Sequence, residues 1–206
     1  FVEHRGGTSF GSEEKQKLIR RNGLMISRRY PYYDNQVQEF IGSDPFMTSR
    51  LAMAGAWAGS RPDAEVLVYL VHDMGGGAEH YVARRAAEDV AAGNVAIMLR
   101  VGGMSRWQVE LLSEFGVTRG ETNDTDLVRR MLNILPKKTV IYSCGVGARD
   151  PLEVPPLLRS LARGDEDRVE ILFHDYFAVS PDYTLLGADG IYRGVPSVDS
   201  TDPTNE

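Results

Sequence analysis

The 206-residue sequence is poor in cysteine, has no excess of basic residues and contains no long apolar run. Its one cysteine, Cys144, cannot form an internal disulfide, which excludes a disulfide-stapled scaffold and favours a reducing, cytoplasmic location. A net charge of −6 argues against broad binding of nucleic acid, which needs a basic face. The longest apolar run, VLVYLV, is far shorter than the roughly 18 residues of a membrane span, so we expect no transmembrane helix.

Several signatures of metal and nucleotide chemistry are also absent. The four histidines form no HxxxH pattern and the chain has no CxxC, so a metal site is not expected. The lack of GxGxxG and of a Tyr-x-x-x-Lys pair argues against a nucleotide-sugar epimerase. Cys144 would need a neighbouring base to act as a nucleophile, and we therefore expect it to be a buried structural cysteine.

The N-terminal part of the chain predicts three helices. The first starts at Ser12 and should end before the Tyr30-Pro31 step, because the residue before a proline avoids the helical conformation. A second helix is expected from Asn35 to Ile41. A third should follow Ser43-Asp44-Pro45, since proline suits the first turn of a helix.

The composition of Gly59 to Asp63 predicts a linker between this helical part and the remainder of the chain. We therefore divide the chain into a helical segment with its linker, residues 1–60, and a second domain, residues 61–206. The chain begins at Phe1 rather than at methionine and ends on the polar, turn-rich stretch VPSVDSTDPTNE. These ends lead us to expect a piece of a longer polypeptide.

From Glu65 onward, strand-like and helix-like stretches alternate. The strand-like stretches are VLVYLV, VAIMLRV, TVIYSC and VEILFHDYF, and helices are expected over residues 78–93, 125–135 and 152–162. Trp107 to Leu112 predicts a further strand or a short edge. Strands that alternate with helices of this length predict an α/β fold with a parallel sheet and right-handed crossovers.

Polar clusters follow three of the predicted strands. They are His72 to Gly77, Ser143 to Gly147 and His174 to Tyr176. In an open parallel sheet, ligands bind outside the carboxyl ends of the strands. The coincidence of three such clusters therefore predicts a binding site at this edge.

The first cluster contains three consecutive glycines, Gly75, Gly76 and Gly77, between a strand and a helix. Glycines let the backbone approach a ligand, and the start of a helix offers unpaired N–H groups, so a phosphate or another anion is the expected guest. The alternative is that the glycines only make a tight turn. Glu79, in the first helical turn, could take part in binding or could only complement the helix dipole.

His-Asp pairs end two of the strand-like stretches. His174 and Asp175 follow VEILF, and His72 and Asp73 follow VLVYLV. Such residues can provide a general base or hydrogen bonds to sugar hydroxyls. The alternative for His174 and Asp175 is local capping of the backbone and the start of a turn.

Two stretches carry a resemblance to a known family. VLVYLVHDMGGGAEHYVARRAAED resembles the first strand, glycine loop and first helix of GT-B glycosyltransferases of the family 4 kind, in their bacterial surface-polysaccharide group. ILFHDYFAVSPDYTLLGADGIYRG resembles a second block of the same group. The resemblance covers roughly residues 64 to 196 and implies the Rossmann-like, acceptor-side N-terminal domain of a two-domain enzyme.

The first sixty residues resemble a different family. FVEHRGGTSFGSEEKQKLIRRN and RRYPYYDNQVQEFIGSDPFMTSR are similar to the C-terminal tail of family 2 (GT-A) glycosyltransferase domains. In that family, the histidine that matches His4 helps to bind the metal-bound donor nucleotide, which the tail cannot do without the rest of its domain. The resemblance implies the end of one catalytic domain followed by half of the next.

The family 4 resemblance implies the function of the site. A sugar would pass from a nucleotide-sugar donor to a glycan or lipid-linked acceptor, without metal or cofactor, and a C-terminal GT-B domain would supply most nucleotide contacts. The enzyme would be cytoplasmic or lie at the inner face of the membrane. The candidate catalytic residues are His174 and Asp175, and the candidate donor- or acceptor-binding residues are Gly75, Gly76, Gly77, Glu79, His72, Asp73 and Tyr176. The alternative is a non-catalytic α/β module that binds a phosphorylated ligand.

Overall fold

A computed structural model describes residues 12–180, 182–187, 189–192, 194–195, 197 and 199. His4 therefore lies outside the described residues. The chain divides into two compact units between Pro45 and Phe46. No helix among the described residues combines the length and apolar character that a membrane crossing requires.

The described part of the first unit contains two helices, α1 (Ser12–Arg29) and α2 (Tyr33–Ser43). α1 ends immediately before the Tyr30-Pro31 step, as predicted, and α2 extends two residues beyond the predicted helix at each end. Acidic residues occupy the first turn of α1 and basic residues its last turn, which suits the helix dipole. Neither helix has a buried residue.

The second unit contains a six-stranded sheet with flanking helices. In chain order, its elements are α3 (Met47–Gly59), β1 (Val66–His72), α4 (Gly77–Ala91), β2 (Val95–Val101), β3 (Trp107–Ser113), β4 (Gly116–Thr122), α5 (Thr125–Asn133), β5 (Lys138–Tyr142), a 3₁₀ helix (Pro151–Glu153), α6 (Val154–Leu161) and β6 (Arg168–Ile171). The helices predicted over residues 78–93, 125–135 and 152–162 are all present, with ends shifted by at most two residues. Asp124 caps α5 by accepting a hydrogen bond from the Leu127 N–H at 3.0 Å.

The sheet has the strand order β4-β3-β2-β1-β5-β6. β2, β1, β5 and β6 are parallel, as predicted, and the α/β, Rossmann-like fold class is confirmed. The sheet is mixed, however, because β3 and β4 form an antiparallel hairpin beside β2. Only residues 102–106 connect β2 to β3, which is too short for the crossover that a parallel strand needs. β3 is therefore an internal strand, and the unpredicted β4 forms the edge.

β6 also differs from its prediction. The strand-like stretch VEILFHDYF predicts nine residues, but the strand ends at Ile171 and lies at an exposed edge of the sheet. The chain turns directly afterwards, where the His174 N–H donates to the Leu172 carbonyl at 2.7 Å. His174 and Asp175 therefore lie in a loop after a short edge strand, and the prediction that the strand extends through them is wrong.

The core lies on both faces of the sheet. On one face, Tyr69 and Val71 of β1 pack with Val82 and Ala86 of α4. On the other face, alternate residues of the strands pack with apolar side chains of α3, α5 and α6. β1 is buried along its whole length because helices cover both of its faces, as parallel strands require.

An ion pair fixes the exposed strand β6 to α4. The two guanidinium nitrogens of Arg85 donate to the two carboxylate oxygens of Glu170, each at 2.7 Å. The hydrogen bonds from Arg85 hold the pKa of Glu170 below its ordinary value, although burial opposes them. The folded chain therefore gains stability from this carboxylate above the unfolded pKa of about 4.5, and loses it as the pH falls through the lower folded pKa.

We expect Glu170→Gln to lower the free energy of unfolding at neutral pH by less than about 1 kcal/mol, because the pair is partly exposed. Urea unfolding at neutral and acidic pH should show that the variant and wild type converge as the pH falls below the lowered folded pKa of Glu170. Glu166→Gln, at an exposed position, serves as the control. An equal difference between variant and wild type at every pH would contradict this expectation.

Candidate functional site

The structure brings the three predicted polar clusters to one edge of the sheet. Gly102 follows β2 and Gly147 follows β5, and a Cβ on Gly147 would lie 3.0 Å from the Gly102 Cα. It would also lie 3.3 Å from the sulfur of Met74, which follows β1. The loops after β1, β2 and β5 are therefore in contact at the carboxyl ends of their strands. The loop after β6 joins them through a hydrogen bond between Ser143 and His174.

Backbone conformation explains two of the three glycines. Gly75 has φ of 75° and Gly76 has φ of 92°, which side-chain-bearing residues rarely adopt. A Cβ on either glycine would meet no atom within 4 Å. The turn therefore requires glycine for its backbone angles, which agrees with the alternative that the glycines make a tight turn. The turn also leaves open space beside the start of α4.

Glu79 closes this glycine turn from within the chain. Its carboxylate accepts a hydrogen bond from the Gly75 N–H at 2.7 Å and another from the Arg100 guanidinium at 2.9 Å. One of the N–H groups expected to bind an external anion is therefore already bonded to a side chain of this protein. Gly76, the N-cap of α4, provides no side-chain cap for the helix.

Arg100 is a site residue that the sequence analysis missed. Its side chain is only 11% exposed and forms ion pairs with Glu79 at 2.9 Å and Glu110 at 3.1 Å. Asp73 lies at 4.0 Å from the same guanidinium. The position of Arg100 inside the otherwise apolar stretch VAIMLRV indicates that it has charged partners, since a charge in a buried strand needs them.

His72 and Asp73 occupy different positions at the end of β1. His72 is buried, and its Nδ1 accepts a hydrogen bond from the Met74 N–H at 3.1 Å. Asp73 is exposed at the rim and accepts a hydrogen bond from the Gln108 side chain at 3.2 Å. His72 therefore stabilises the turn, whereas Asp73 is accessible to a ligand.

His174 is exposed, and its ring is held on two sides. The ring Nδ1 lies 2.9 Å from the hydroxyl of Ser143, a residue with no exposed surface. The ring also packs edge-on against Tyr81 of α4, with 5.5 Å between the ring centroids. Among the described residues, none is hydrogen-bonded to the other ring nitrogen, Nε2. The imidazole is thus fixed at one nitrogen and available at the other.

Asp175 is buried and engaged by three donors. One carboxylate oxygen accepts from the Tyr142 hydroxyl at 2.5 Å and from the Phe177 N–H at 3.2 Å. The other accepts from the Gly145 N–H at 2.6 Å. These bonds join the loop after β5 to the loop after β6. Asp175 therefore positions the loop that carries His174, and its oxygens already bind donors of this protein.

The side chains around Asp175 are not poised for nucleophilic chemistry. Burial raises the pKa of the Cys144 thiol to about 12, so the thiol stays protonated at neutral pH. Burial and the hydrogen bond to Asp175 also raise the pKa of Tyr142 well above its ordinary value. Cys144 is buried, as predicted for a structural cysteine.

Tyr176 supplies an exposed aromatic surface next to His174. It is 37% exposed and lies beside the exposed ring of Phe173, with 6.3 Å between the ring centroids. Its N–H donates to the Tyr183 carbonyl at 3.2 Å, which fixes the backbone of the loop. Exposed aromatic rings of this kind can pack against the apolar face of a sugar or a base.

A pocket of about 210 Å³ lies between the start of α6 and residues 177–180. Its walls are formed mostly by Pro151, Leu152, Pro155 and Phe177. The described residues that line the pocket include no charged side chain, so this lining suits an apolar group better than a phosphate. The described residues contain no group of three or more His, Cys, Asp or Glu side chains that could hold a metal ion.

The carboxyl edge thus combines a glycine turn, a partly buried ion-pair network around Arg100 and an exposed imidazole held by a buried serine. Hydrogen-bond donors and aromatic rings in one place are suited to a polar ligand that carries oxygen atoms and a ring. In comparisons with known proteins, no family model, no curated protein and no solved structure matches this chain.

Proposed function

We propose that the chain is part of a glycosyltransferase that moves a sugar from a nucleotide-sugar donor to a glycan or glycolipid acceptor in cell-surface polysaccharide biosynthesis. One observation carries the proposal: the glycine turn and the exposed His174 lie at the same carboxyl edge of the sheet. These are also the two parts of the chain whose sequences resemble family 4 glycosyltransferases. Ligands of open α/β sheets bind at this edge.

The chemistry of glycosyl transfer assigns roles to the residues of this edge. The reaction needs a stabilised diphosphate leaving group and a positioned acceptor hydroxyl. In this proposal, the backbone at Gly75 to Gly77 faces the diphosphate, and Glu79 and Arg100 hold the turn. His174 contacts the transferred sugar or the acceptor, and Asp73 and Tyr176 line the edge. His72 and Asp175 stabilise the loops after β1 and β5 by accepting hydrogen bonds from backbone N–H groups.

The proposal also includes parts that lie outside this sequence. A C-terminal GT-B domain would face the carboxyl edge and supply most nucleotide contacts. Residues 1–60 would be the tail of a preceding GT-A domain, and residues 61–206 the acceptor-side domain. The enzyme would work in the cytoplasm or at the inner face of the membrane. The 206-residue chain alone would bind a nucleotide sugar weakly and would not catalyse transfer.

Binding to the glycine turn can be tested with a matched pair of variants. Gly76 and Gly93 have φ of 92° and 89° and open space at the Cβ position, but Gly76 precedes α4 and Gly93 follows it. Valine at either position should cost backbone strain on the order of 1–3 kcal/mol, because both positive φ angles disfavour a side chain. Only Gly76→Val changes the proposed diphosphate contact.

We expect Gly76→Val to weaken binding of a nucleoside diphosphate sugar by about ten-fold or more, which corresponds to about 1.4 kcal/mol. Gly93→Val should leave binding unchanged, and saturation-transfer NMR with the 206-residue chain measures both. An equal loss in the two variants would show that strain, not the contact, affects binding. Unchanged binding in Gly76→Val would contradict the role given to the turn.

A further inference from the structure

The strongest unexplained feature of the site is the buried hydroxyl of Ser143. Ser143 has no exposed surface, so water cannot satisfy its hydroxyl group. Among the described residues, the hydroxyl has one hydrogen-bond partner, the Nδ1 of His174 at 2.9 Å. A buried hydroxyl that donates to nothing costs about 1–3 kcal/mol, so its hydrogen should be directed at this nitrogen.

We infer that Ser143 is a positioning residue that holds neutral His174 in the tautomer with its proton on Nε2. Nδ1 must carry a lone pair to accept from the serine hydroxyl, and a neutral imidazole carries one proton. That proton is therefore on Nε2, the nitrogen that no described residue binds. Tyr81 packs edge-on against the ring, with 5.5 Å between the ring centroids, and opposes a ring flip that would move Nδ1 away from the serine hydroxyl.

This assignment determines what His174 can do. An Nε2–H group donates a hydrogen bond to an oxygen atom of a sugar, a phosphate or an acceptor. It cannot at the same time take a proton from an acceptor hydroxyl, because it has no free lone pair. His174 is thus a binding group for ligand oxygen and not the general base of transfer. The identity of that oxygen rests on the proposed function, whereas the tautomer does not.

The tautomer can be measured directly by NMR of the 206-residue chain labelled with ¹⁵N-histidine. Protonated and unprotonated ring nitrogens have well-separated ¹⁵N shifts, and spectra should be recorded at about pH 8.5, above the ordinary histidine pKa. His174→Gln removes one set of ring signals and so assigns them. We expect the His174 signals of the wild type to show protonated Nε2 and unprotonated Nδ1.

Ser143→Ala should convert this single tautomer into a mixture, because the donor to Nδ1 is lost. Ser160→Ala is the matched control, since the Ser160 hydroxyl donates to the Leu157 carbonyl far from the imidazole in sequence. Protonated Nδ1 in the wild type would overturn the inference, and so would an unchanged tautomer in Ser143→Ala. The wild-type spectrum decides the assignment even if Ser143→Ala does not fold.

A titration with a nucleoside diphosphate sugar separates this inference from the proposed function. If the ligand binds, the Nε2 and its proton should shift in the wild type. A wild-type chain with protonated Nε2 and no response to any nucleotide sugar would keep the tautomer and reject the proposed function. Signals that shift with ligand in a chain whose Nδ1 carries the proton would reject the inferred tautomer and keep the proposed function.

Discussion

Replacing Asp175 by alanine is expected to lower the free energy of unfolding by about 3 kcal/mol, since three buried donors lose their acceptor. The donors are the Tyr142 hydroxyl and the N–H groups of Gly145 and Phe177. Each unsatisfied group costs about 1–3 kcal/mol, and partial rearrangement reduces the sum. Urea unfolding followed by circular dichroism measures the change.

Two further variants make this expectation specific. Asp175→Asn keeps the shape of the side chain but presents an NH₂ group to one of the donors. Its free energy of unfolding should therefore lie between those of wild type and Asp175→Ala. Asp150→Ala removes an exposed carboxylate that accepts from the Leu152 N–H, and should cost about 1 kcal/mol or less. A loss for Asp175→Ala no larger than that for Asp150→Ala would contradict the structural role of Asp175.

Replacing His174 is expected to have the second large effect, a loss of sugar-transfer activity. We expect His174→Ala to reduce sugar transfer by about 100-fold or more in the complete enzyme, as is typical when a hydrogen-bond donor to a reacting group is removed. His174→Gln retains a side-chain N–H donor and should recover part of the activity. The measurement is transfer of labelled sugar from a nucleotide sugar to a glycan or glycolipid acceptor.

His80→Ala is the matched control for His174→Ala. His80 is also an exposed histidine, in the first turn of α4, and its side chain has no part in the proposed contacts. Its replacement should leave transfer unchanged. Full activity in both His174→Ala and Gly76→Val would favour the alternative, a non-catalytic module that binds a phosphorylated ligand.

β1, β2 and β5 could be predicted from the sequence because each contains a short apolar run. These three strands are buried on both faces, and that burial favours mostly apolar residues. β4 could not be predicted, since its residues GVTRGET are polar and mostly exposed. Its strand conformation comes from pairing with β3, which is a tertiary contact.

The candidate site was predictable in position but not in the roles of its residues. Glycines and His-Asp pairs at the ends of strands indicated the carboxyl edge. The role of Asp175 depends on Gly145, 30 residues earlier in the chain, and the closure of the glycine turn depends on Arg100 from the neighbouring strand. Such partners are set by strand order and register, which local sequence patterns do not specify.

The most direct test of the proposed site is a nucleotide-sugar titration of the ¹⁵N-labelled 206-residue chain, followed through its backbone amide signals. We expect weak binding, with the largest shifts at Gly75–Gly77, Ser143–Gly145 and His174–Tyr176. These three stretches lie at the carboxyl edge but far apart in sequence, so joint shifts would locate the ligand there. Shifts confined to other parts of the chain, or no shift with any nucleotide sugar, would contradict the proposed site.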